Sequence, residues 1–375
     1  MTKMSSFIPV NEPLLDGNEK KYLNECIDTG WISSEGPFVA AFEERFAARV
    51  GRKYGIAVSN GTAALEAAFA ALQLPAGSEV ILPSFTIISC AAAVLRAGLV
   101  PVVADADPLT WNLDLCSVEE LITPRTSAIM AVHIYGIPVD MDPLLELAQR
   151  YGLRVVEDAA QAHGLCYKGR SCGSFGDLST FSFYPNKLVT TGEGGMVVTD
   201  DEPLAARCRS LRNLCFKPEQ RFVHDELGSN YRMTNLQAAI GLAQLERLDE
   251  FVLRKRAIGS RYNELLTGVA GLQLPQAQTG YAENGYWVYG VVLADDVPVD
   301  ARTVMARLAE RLVGTRPFFW PMHEQPVLRG LGLFAGVCCP VSERIARRGL
   351  YLPSGLALTP DQIGRVAAAL REVLK

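Results

Sequence analysis

The sequence lacks the features that mark several large classes of protein. None of its 375 residues fall in an unbroken apolar run of about 18, the length that a membrane-spanning helix requires. The opening letters, MTKMSSFIPVNEPLL, contain no continuous apolar stretch of the kind found in signal peptides. No basic stripe that would indicate nucleic-acid binding is present, and no GxGxxG follows an early strand, which disfavours a nicotinamide cofactor. We therefore expect a cytoplasmic protein that binds neither membrane nor nucleic acid.

Cysteine and histidine occur in patterns that fit neither disulfides nor metal sites. The nine cysteines are an odd number, they are scattered along the chain, and no CxxC occurs among them. The four histidines, His133, His163, His224 and His323, stand far apart and lack the paired spacing of a zinc site. We expect no disulfide framework and no bound metal.

The composition is that of a globular enzyme. Hydrophobic residues make up 49% of the chain, charged residues make up 21%, and the net charge is −5 with both signs interspersed. The length is sufficient for two domains and a large buried core.

Short β-branched runs alternate with helical patterns in the first part of the chain. Buried strands are predicted at residues 79–83, 100–105, 128–133 and 154–158, and helices at residues 61–74, 87–97 and 141–151. Such alternation predicts an α/β fold with a mostly parallel central sheet and helices on both of its faces.

Three further helices have their own signals. Residues 16–29 carry a capping-box pattern formed by Asp16 and Glu19, and the spacing of Phe38, Phe42 and Phe46 gives the next helix one apolar face. From Thr234 a helical pattern continues to about residue 266 without a proline.

The sequence becomes more polar after this last helix, with a new strand-and-helix pattern. We therefore predict a large domain over residues 1–248 and a smaller C-terminal α/β domain over residues 249–375.

Three features of the predicted sheet could carry chemistry. Asp158 ends a strand, where ligands of open α/β sheets bind, and Gly61 and Thr62 begin a helix whose amides could cradle a phosphate. Lys187 is a single amine within FSFYPNKLVTTGEGG. Each feature taken alone also fits a structural role, as a helix cap, an ion-pair partner or a surface lysine. Together they supply a carboxylate, a phosphate cradle, an amine and a glycine-rich loop, which are the requirements of pyridoxal 5′-phosphate.

Longer blocks of the sequence resemble a known family. EDAAQAHG (157–164), GSFGDLSTFSFYPNK (173–187), TTGEGGMVV (190–198) and NYRMTNLQAAIGLAQLER (230–247) are similar to the signature blocks of the DegT-like sugar aminotransferases. The likeness extends from WISSEGP (31–37) through TRPFFWPMHEQP (315–326) to YLPSG (351–355). It implies a fold-type I pyridoxal-phosphate-dependent transferase, which is the aspartate-aminotransferase fold.

The resemblance implies roles for individual residues. Lys187 would bond covalently to the cofactor, Asp158 would partner its ring nitrogen, and Gln161 would lie near its ring hydroxyl. The implied phosphate-binding residues are Gly61, Thr62, Ser182 and, from the neighbouring subunit, Asn230. The last assignment implies a homodimer with shared active sites.

One position departs from the pattern of the family. Ile87 stands where many relatives place an aromatic residue that stacks on the cofactor ring. Isoleucine can pack on a ring face by dispersion and burial but adds no second π-system. Phe85 is a candidate to replace that contact.

The resemblance also implies a reaction. Glutamate would donate an amino group to the cofactor, and a nucleotide-linked ketosugar would then accept it. Among branches of the family the blocks most resemble perosamine synthases, which act on GDP-4-keto-6-deoxymannose. This resemblance implies a role in the synthesis of a deoxysugar for an O-antigen. The matching blocks supply four candidate substrate contacts, Trp31, Tyr184, Arg316 and His323.

Other interpretations remain open from the sequence. The nucleotide could be dTDP or UDP, and the amine could enter at C3. Dehydration of a deoxysugar is disfavoured because relatives that carry it out lack the lysine that Lys187 supplies. A non-catalytic sensor on the same scaffold is disfavoured by the joint presence of Asp158, Gln161, Ser182 and Lys187.

Overall fold

The computed structural model describes residues 6–375. The helices are α1 (Glu19–Thr29), α2 (Pro37–Val50), α3 (Gly61–Leu72), α4 (Ser89–Arg96), α5 (Leu115–Glu120), α6 (Met141–Tyr151), α7 (Glu202–Arg212), α8 (Asn235–Leu245), α9 (Leu248–Leu266), α10 (Ala301–Ala309), α11 (Pro326–Gly330), α12 (Pro340–Arg348) and α13 (Pro360–Val373). The strands are β1 (Tyr54–Val58), β2 (Glu79–Pro83), β3 (Val100–Ala104), β4 (Thr126–Val132), β5 (Arg154–Asp158), β6 (Cys166–Tyr167), β7 (Arg170–Ser171), β8 (Leu178–Ser182), β9 (Gly195–Thr199), β10 (Leu272–Gln273), β11 (Tyr289–Leu293), β12 (Arg316–Pro317) and β13 (Gly349–Leu352).

A seven-stranded sheet forms the centre of the fold. Its strand order is β1-β9-β8-β5-β4-β2-β3, and β9 runs antiparallel to both of its neighbours while the other pairs are parallel. The four strands and three helices predicted from alternation are confirmed, with ends that agree to within two residues. The mostly parallel α/β fold is therefore confirmed.

Helix α2 shows how the sequence pattern becomes packing. Phe38, Phe42 and Phe46 are all buried on one side of the helix, as their spacing predicts. Phe46 makes edge-to-face contacts with Phe181 and Phe183 beside strand β8. The helix is thereby fixed to the centre of the sheet.

A second sheet lies in the later part of the chain. Its four strands, in the order β10-β11-β13-β12, are all antiparallel. A separate hydrophobic cluster joins this sheet to helices α9, α10 and α13, and Ile8 from the start of the chain is buried in it. The division of domains at residue 248 stays a prediction.

The predicted capping box at the first helix is wrong. Helix α1 begins at Glu19 with Asn18 in the cap position, and Asn18 makes no side-chain cap hydrogen bond. The carboxylate of Asp16 pairs instead with Arg247, and Glu19 accepts from Gln244 Nε2 at 2.6 Å. Glu19 also accepts from the Gly17 N–H at 2.8 Å, so it still contacts the backbone before the helix, but not in the predicted reciprocal pair with Asp16.

The prediction of one continuous helix from Thr234 to residue 266 is also wrong. Thr234 caps α8, but the helix stops at Leu245 and α9 starts at Leu248. Between them Arg247 has non-helical backbone angles, φ −113° and ψ 9°. Its guanidinium bonds to Asp16 and Glu250, so a tertiary contact accompanies the break.

Two further features of the described chain concern membrane-spanning helices and disulfides. Among residues 6–375, no helix combines the length and the apolarity needed to span a membrane. The nine cysteines all lie in this range and are free thiols.

Candidate active site

A cavity of about 860 Å³ opens where several elements of the central sheet end. Asp158 ends strand β5, Ser182 ends strand β8, and Ile87 follows strand β2. Gly61, at the start of helix α3, and Lys187, in the loop after β8, complete this side of its wall. The elements predicted to carry chemistry therefore converge on one cavity.

Asp158 presents a buried carboxylate to the cavity. Its Oδ1 accepts from the Ala160 N–H at 3.0 Å, and its Oδ2 accepts from the Cys90 thiol at 3.5 Å. Burial raises the pKa of Asp158, although the Ala160 N–H and the charge of Lys187 oppose that rise. A protonated heteroaromatic nitrogen is the kind of partner that would stabilise such a buried carboxylate.

Lys187 reaches the same cavity with its amine on an aromatic face. Its Nζ lies 3.8 Å from the centroid of the Trp287 ring. Removal of the amine from water lowers the pKa of Lys187 to about 8, while Asp158 and Cys90 offset part of that shift. A pKa this close to neutrality supplies the uncharged amine that a covalent bond to a carbonyl cofactor requires.

The amino end of helix α3 forms an anion cradle. Asn60 caps the helix through its Oδ1, and Gly61 and Thr62 line the cavity with the first amides, which have no intrahelical partner. A Cβ on Gly61 would lie 2.6 Å from Ser182 Cβ, so this position requires glycine. The Thr62 and Ser89 hydroxyls, 2.8 Å apart, add polar groups beside the amides.

Gln161 lies between these groups with a defined orientation. Its Oε1 accepts from the Tyr135 N–H at 2.8 Å. Because the oxygen is engaged, the amide nitrogen is the group that this side chain can present to the cavity. Gln161 is therefore placed to donate a hydrogen bond to a hydroxyl or phenolate oxygen.

The structure separates the two candidates for the ring face. Ile87 lines the cavity and is 44% exposed. Phe85 is fully buried, in edge-to-face or tilted contact with Tyr135, Phe318 and Phe319. Phe85 therefore does not take the place of an aromatic at position 87, and that suggestion is wrong.

Some cavity residues were missed by the sequence analysis. Trp287 and Tyr351 bring aromatic faces from the later part of the chain, beside Phe319 of the matching block TRPFFWPMHEQP. Cys90 is fully buried on helix α4 and bonds to Asp158. Trp287 precedes strand β11 and lies outside the quoted blocks that resemble the family, so only tertiary packing identifies it.

His163 is a buried neighbour of the site. Burial, together with the charge of Lys187, lowers the pKa of His163 to about 3. Its Nδ1 accepts from the Val189 N–H at 3.3 Å, and its Nε2 has no hydrogen-bond partner among the described residues. The ring is therefore neutral at physiological pH.

Four predicted site residues are not part of the cavity wall. Asn230 and Arg316 are exposed, Trp31 is 49% exposed, and none of the three lines the cavity. His323 is buried, with Nδ1 2.7 Å from Ser84 Oγ and Nε2 3.0 Å from Glu343. Tyr184 is the candidate substrate contact that the structure does bring to the cavity.

Two groups of potential metal-ligand side chains are present in the described part of the chain. They are His133, Glu157 and Cys172, and His323, Glu324 and Glu343. In the first group His133 Nε2 bonds to Glu157 and Nδ1 accepts from the Val139 N–H, so both ring nitrogens are already engaged.

The donor set around the cavity fits pyridoxal 5′-phosphate. Asp158 suits its ring nitrogen, Lys187 its aldehyde carbon, and Gln161 its ring hydroxyl. Gly61 and Thr62, where a larger side chain would not fit at the first position, suit its phosphate.

Comparison with known proteins agrees with this chemistry. A model of the DegT/DnrJ/EryC1/StrS aminotransferase family matches residues 13–371. The GDP-perosamine synthases of Caulobacter vibrioides and Escherichia coli O157:H7 are 45% and 40% identical to the chain, in each case over 98% of both proteins. A crystal structure of DesI in the presence of its TDP-sugar product is 36% identical, with a TM-score of 0.91, over 99% of this chain and 94% of that one.

Proposed function

Because the chain belongs to the DegT/DnrJ/EryC1/StrS aminotransferase family, we propose that it transfers an amino group from glutamate to GDP-4-keto-6-deoxymannose and forms GDP-perosamine. Like the sugar aminotransferases of this family, the enzyme depends on pyridoxal 5′-phosphate. The observation that carries the proposal is the convergence of Asp158, Lys187 and the amino end of helix α3 on one cavity.

The chain's own residues divide the work of transamination. Bound in the cavity, the cofactor supplies a protonated ring that accepts the electron pair left when a C–H bond breaks. Asp158 keeps the ring nitrogen protonated through its negative charge. Lys187 would hold the cofactor through a covalent bond at Nζ, and its free amine would act as the acid–base group that moves the proton. Its lowered pKa, about 8, suits both tasks near neutral pH.

The remaining polar residues bind and orient. Gly61, Thr62 and Ser182 hold the phosphate at the helix start, where the amides and the helix dipole favour negative charge. Gln161, whose oxygen is engaged by the Tyr135 N–H, would donate from its amide nitrogen to the ring hydroxyl. Ile87 would cover one ring face by dispersion and burial.

The proposed substrate follows from the relatives and from the walls of the cavity. Two proteins named GDP-perosamine synthase align over nearly the whole chain, which supports a GDP-linked ketosugar. The volume of about 860 Å³ lies within the range of small-molecule sites, roughly 300–1,000 Å³. Tyr184, Phe319 and Tyr351 offer apolar faces to a sugar ring.

A homodimer with shared active sites belongs to the proposal. Asn230, proposed to contact the partner's phosphate, follows a segment in which Phe222 is 81% exposed and Leu227 is 94% exposed. Two such exposed apolar side chains in one segment support an interface there. Trp31 and Arg316, which are exposed, are proposed to reach substrate in the assembled dimer. A location in the cytoplasm and a role in O-antigen synthesis stay predictions.

A related activity is the alternative. DesI, whose structure contains a TDP-sugar product, is 36% identical to the chain, so amination of a dTDP- or UDP-linked ketosugar, or at C3, is the second candidate. A non-catalytic sensor would bind the same cofactor. It would not convert glutamate to 2-oxoglutarate in a single turnover, whereas the proposed enzyme should release one 2-oxoglutarate per active site.

Competition between substrates tests the proposal. GDP-4-keto-6-deoxymannose and a dTDP-linked 4-ketosugar are offered together with glutamate, and kcat/KM is measured for each. The proposal expects the higher value for the GDP-linked sugar. A higher value for the dTDP-linked sugar would favour the alternative activity, and the assignment as an aminotransferase would still hold.

His323→Ala tests the least direct of the predicted substrate contacts. Since His323 is buried between Ser84 and Glu343, any effect on the sugar must pass through those neighbours. The expected result is a larger loss in the ketosugar half-reaction than in the glutamate half-reaction. Equal losses in both would remove His323 from the substrate site.

A further inference from the structure

Trp287 is fixed from several sides while it faces the Lys187 amine. It is 5% exposed and lines the cavity from the segment before strand β11. Its indole N–H donates to the Asn186 carbonyl at 2.8 Å, so the ring is tied to the residue that precedes Lys187. The Lys187 Nζ lies 3.8 Å from the ring centroid, within the distance at which an ammonium is attracted to an aromatic face.

A buried lysine fixes the backbone of Trp287 as well. Lys255, on helix α9, is 2% exposed, and its Nζ donates to the Trp287 carbonyl at 2.8 Å and to the Ser354 carbonyl at 2.5 Å. Both acceptors belong to segments next to strands of the second sheet, whose Tyr351 also lines the cavity. Trp287 is thereby held by its ring and by its main chain.

We propose that Trp287 is a positioning residue for Lys187, and that its indole face holds the lysine amine at the cavity wall while the amine is charged. The inference rests on the proposed function only for the catalytic role of Lys187. The attraction acts on the ammonium and not on the neutral amine, since it depends on positive charge over the ring quadrupole. The ring therefore keeps the protonated amine beside the cavity and opposes the effect of burial on its ionisation.

The ionisation of Lys187 can be measured without turnover. The full-length chain is freed of cofactor, exposed briefly to acetic anhydride at pH 6 to 10, and digested, and acetylation of the Lys187 peptide is quantified by mass spectrometry. Trp287→Leu keeps an apolar side chain but removes the π-face, so the pH midpoint of labelling should fall by roughly 0.5 to 1.5 units. Trp287→Phe keeps a ring and should remain near the wild-type midpoint.

A matched control separates this effect from general damage to the core. Trp111 is 3% exposed and is not part of the cavity wall, so Trp111→Leu should leave the Lys187 midpoint unchanged. An unchanged or raised midpoint in Trp287→Leu would overturn the proposal. A fall of the same size in Trp287→Phe or Trp111→Leu would also overturn it, because neither the ring face nor this tryptophan would then be responsible. Loss of the glutamate half-reaction in the wild type, with the labelling shift intact, would count against the proposed function alone.

Discussion

Among single residues, Lys187 is the one proposed to bond covalently to the cofactor. Purified protein should be yellow, and borohydride should fix a pyridoxyl group on Lys187, because this amine faces the cavity and has a pKa lowered to about 8. Peptide mass spectrometry identifies the modified residue. Lys187→Ala should abolish transamination while it still retains cofactor without a covalent bond. A pyridoxyl group on any other lysine would refute the assignment.

Asp158 should control the ability of the ring to accept electrons. Asp158→Asn removes the charge that keeps the ring nitrogen protonated, so the single-turnover rate with glutamate should fall by about 10³-fold, equivalent to about 4 kcal/mol of barrier. Glu157→Gln is the matched control. Glu157 is the preceding residue of strand β5 and faces away from the cavity, where it bonds to His133 and Ser179. This variant should lose stability and keep its turnover, and a near-normal rate in Asp158→Asn would show that the carboxylate is structural.

The sequence predicts these residues better than it predicts their surroundings. Asp158, Gly61 and Lys187 stand in local patterns, a strand end, a helix start and a glycine-rich loop, and the structure brings all three to one cavity. Trp287 and Cys90 have no such pattern. Cys90 lies on helix α4 and Trp287 before strand β11, and both reach the site through tertiary packing, which the order of residues does not show.

At the level of secondary-structure elements, Lys255 connects helix α9 to the second sheet through hydrogen bonds to the Trp287 and Ser354 carbonyls. Burial lowers the pKa of Lys255 from 10.5 to about 7, so between these values the unfolded chain binds a proton that the folded chain does not. The free energy of unfolding should therefore rise with pH from about 7 to about 10.5, by up to ~1.4 kcal/mol per pH unit from this group. Urea denaturation of wild type and Lys255→Met at pH 7, 8 and 9 isolates that contribution as the difference between them.

The difference between the two proteins should grow in favour of the wild type as pH rises through this window. Lys20→Met, at an exposed position of helix α1, serves as the control and should show no such trend. A difference that stays constant with pH would mean that Lys255 keeps its proton in the folded protein.

Errors in the predicted elements have one physical origin. The buried strands and the helix carrying Phe38, Phe42 and Phe46 were predictable because burial imposes a periodic pattern. The start of α1 and the break before α9 were not predictable, because both involve Arg247. Its guanidinium bonds to Asp16, which was predicted to cap α1, and to Glu250. A contact across about 230 residues leaves no trace in a local pattern.

At the scale of the whole molecule, the active site should need two chains. If Asn230 serves the partner's phosphate, Asn230→Ala and Lys187→Ala should each be nearly inactive alone. Hybrid dimers formed by coexpression would contain one complete site, because each variant supplies the residue that the other lacks. Random pairing then restores about a quarter of the wild-type activity, since half of the dimers have one of two sites intact.

Light scattering during turnover provides the companion measurement and should show a dimer. No recovery of activity in the hybrids would mean that each site draws its residues from one chain. An active monomer would contradict the shared site altogether.

Transfer of labelled nitrogen follows the amino group from donor to sugar. The enzyme is incubated with [¹⁵N]glutamate and GDP-4-keto-6-deoxymannose, and the product is analysed by NMR and mass spectrometry, with Lys187→Ala as the blank. The wild type should give 2-oxoglutarate and a GDP-linked 4-amino-4,6-dideoxymannose with ¹⁵N bonded to C4, and the variant should give no labelled sugar. Label on C3, or no labelled sugar from the wild-type enzyme, would contradict it.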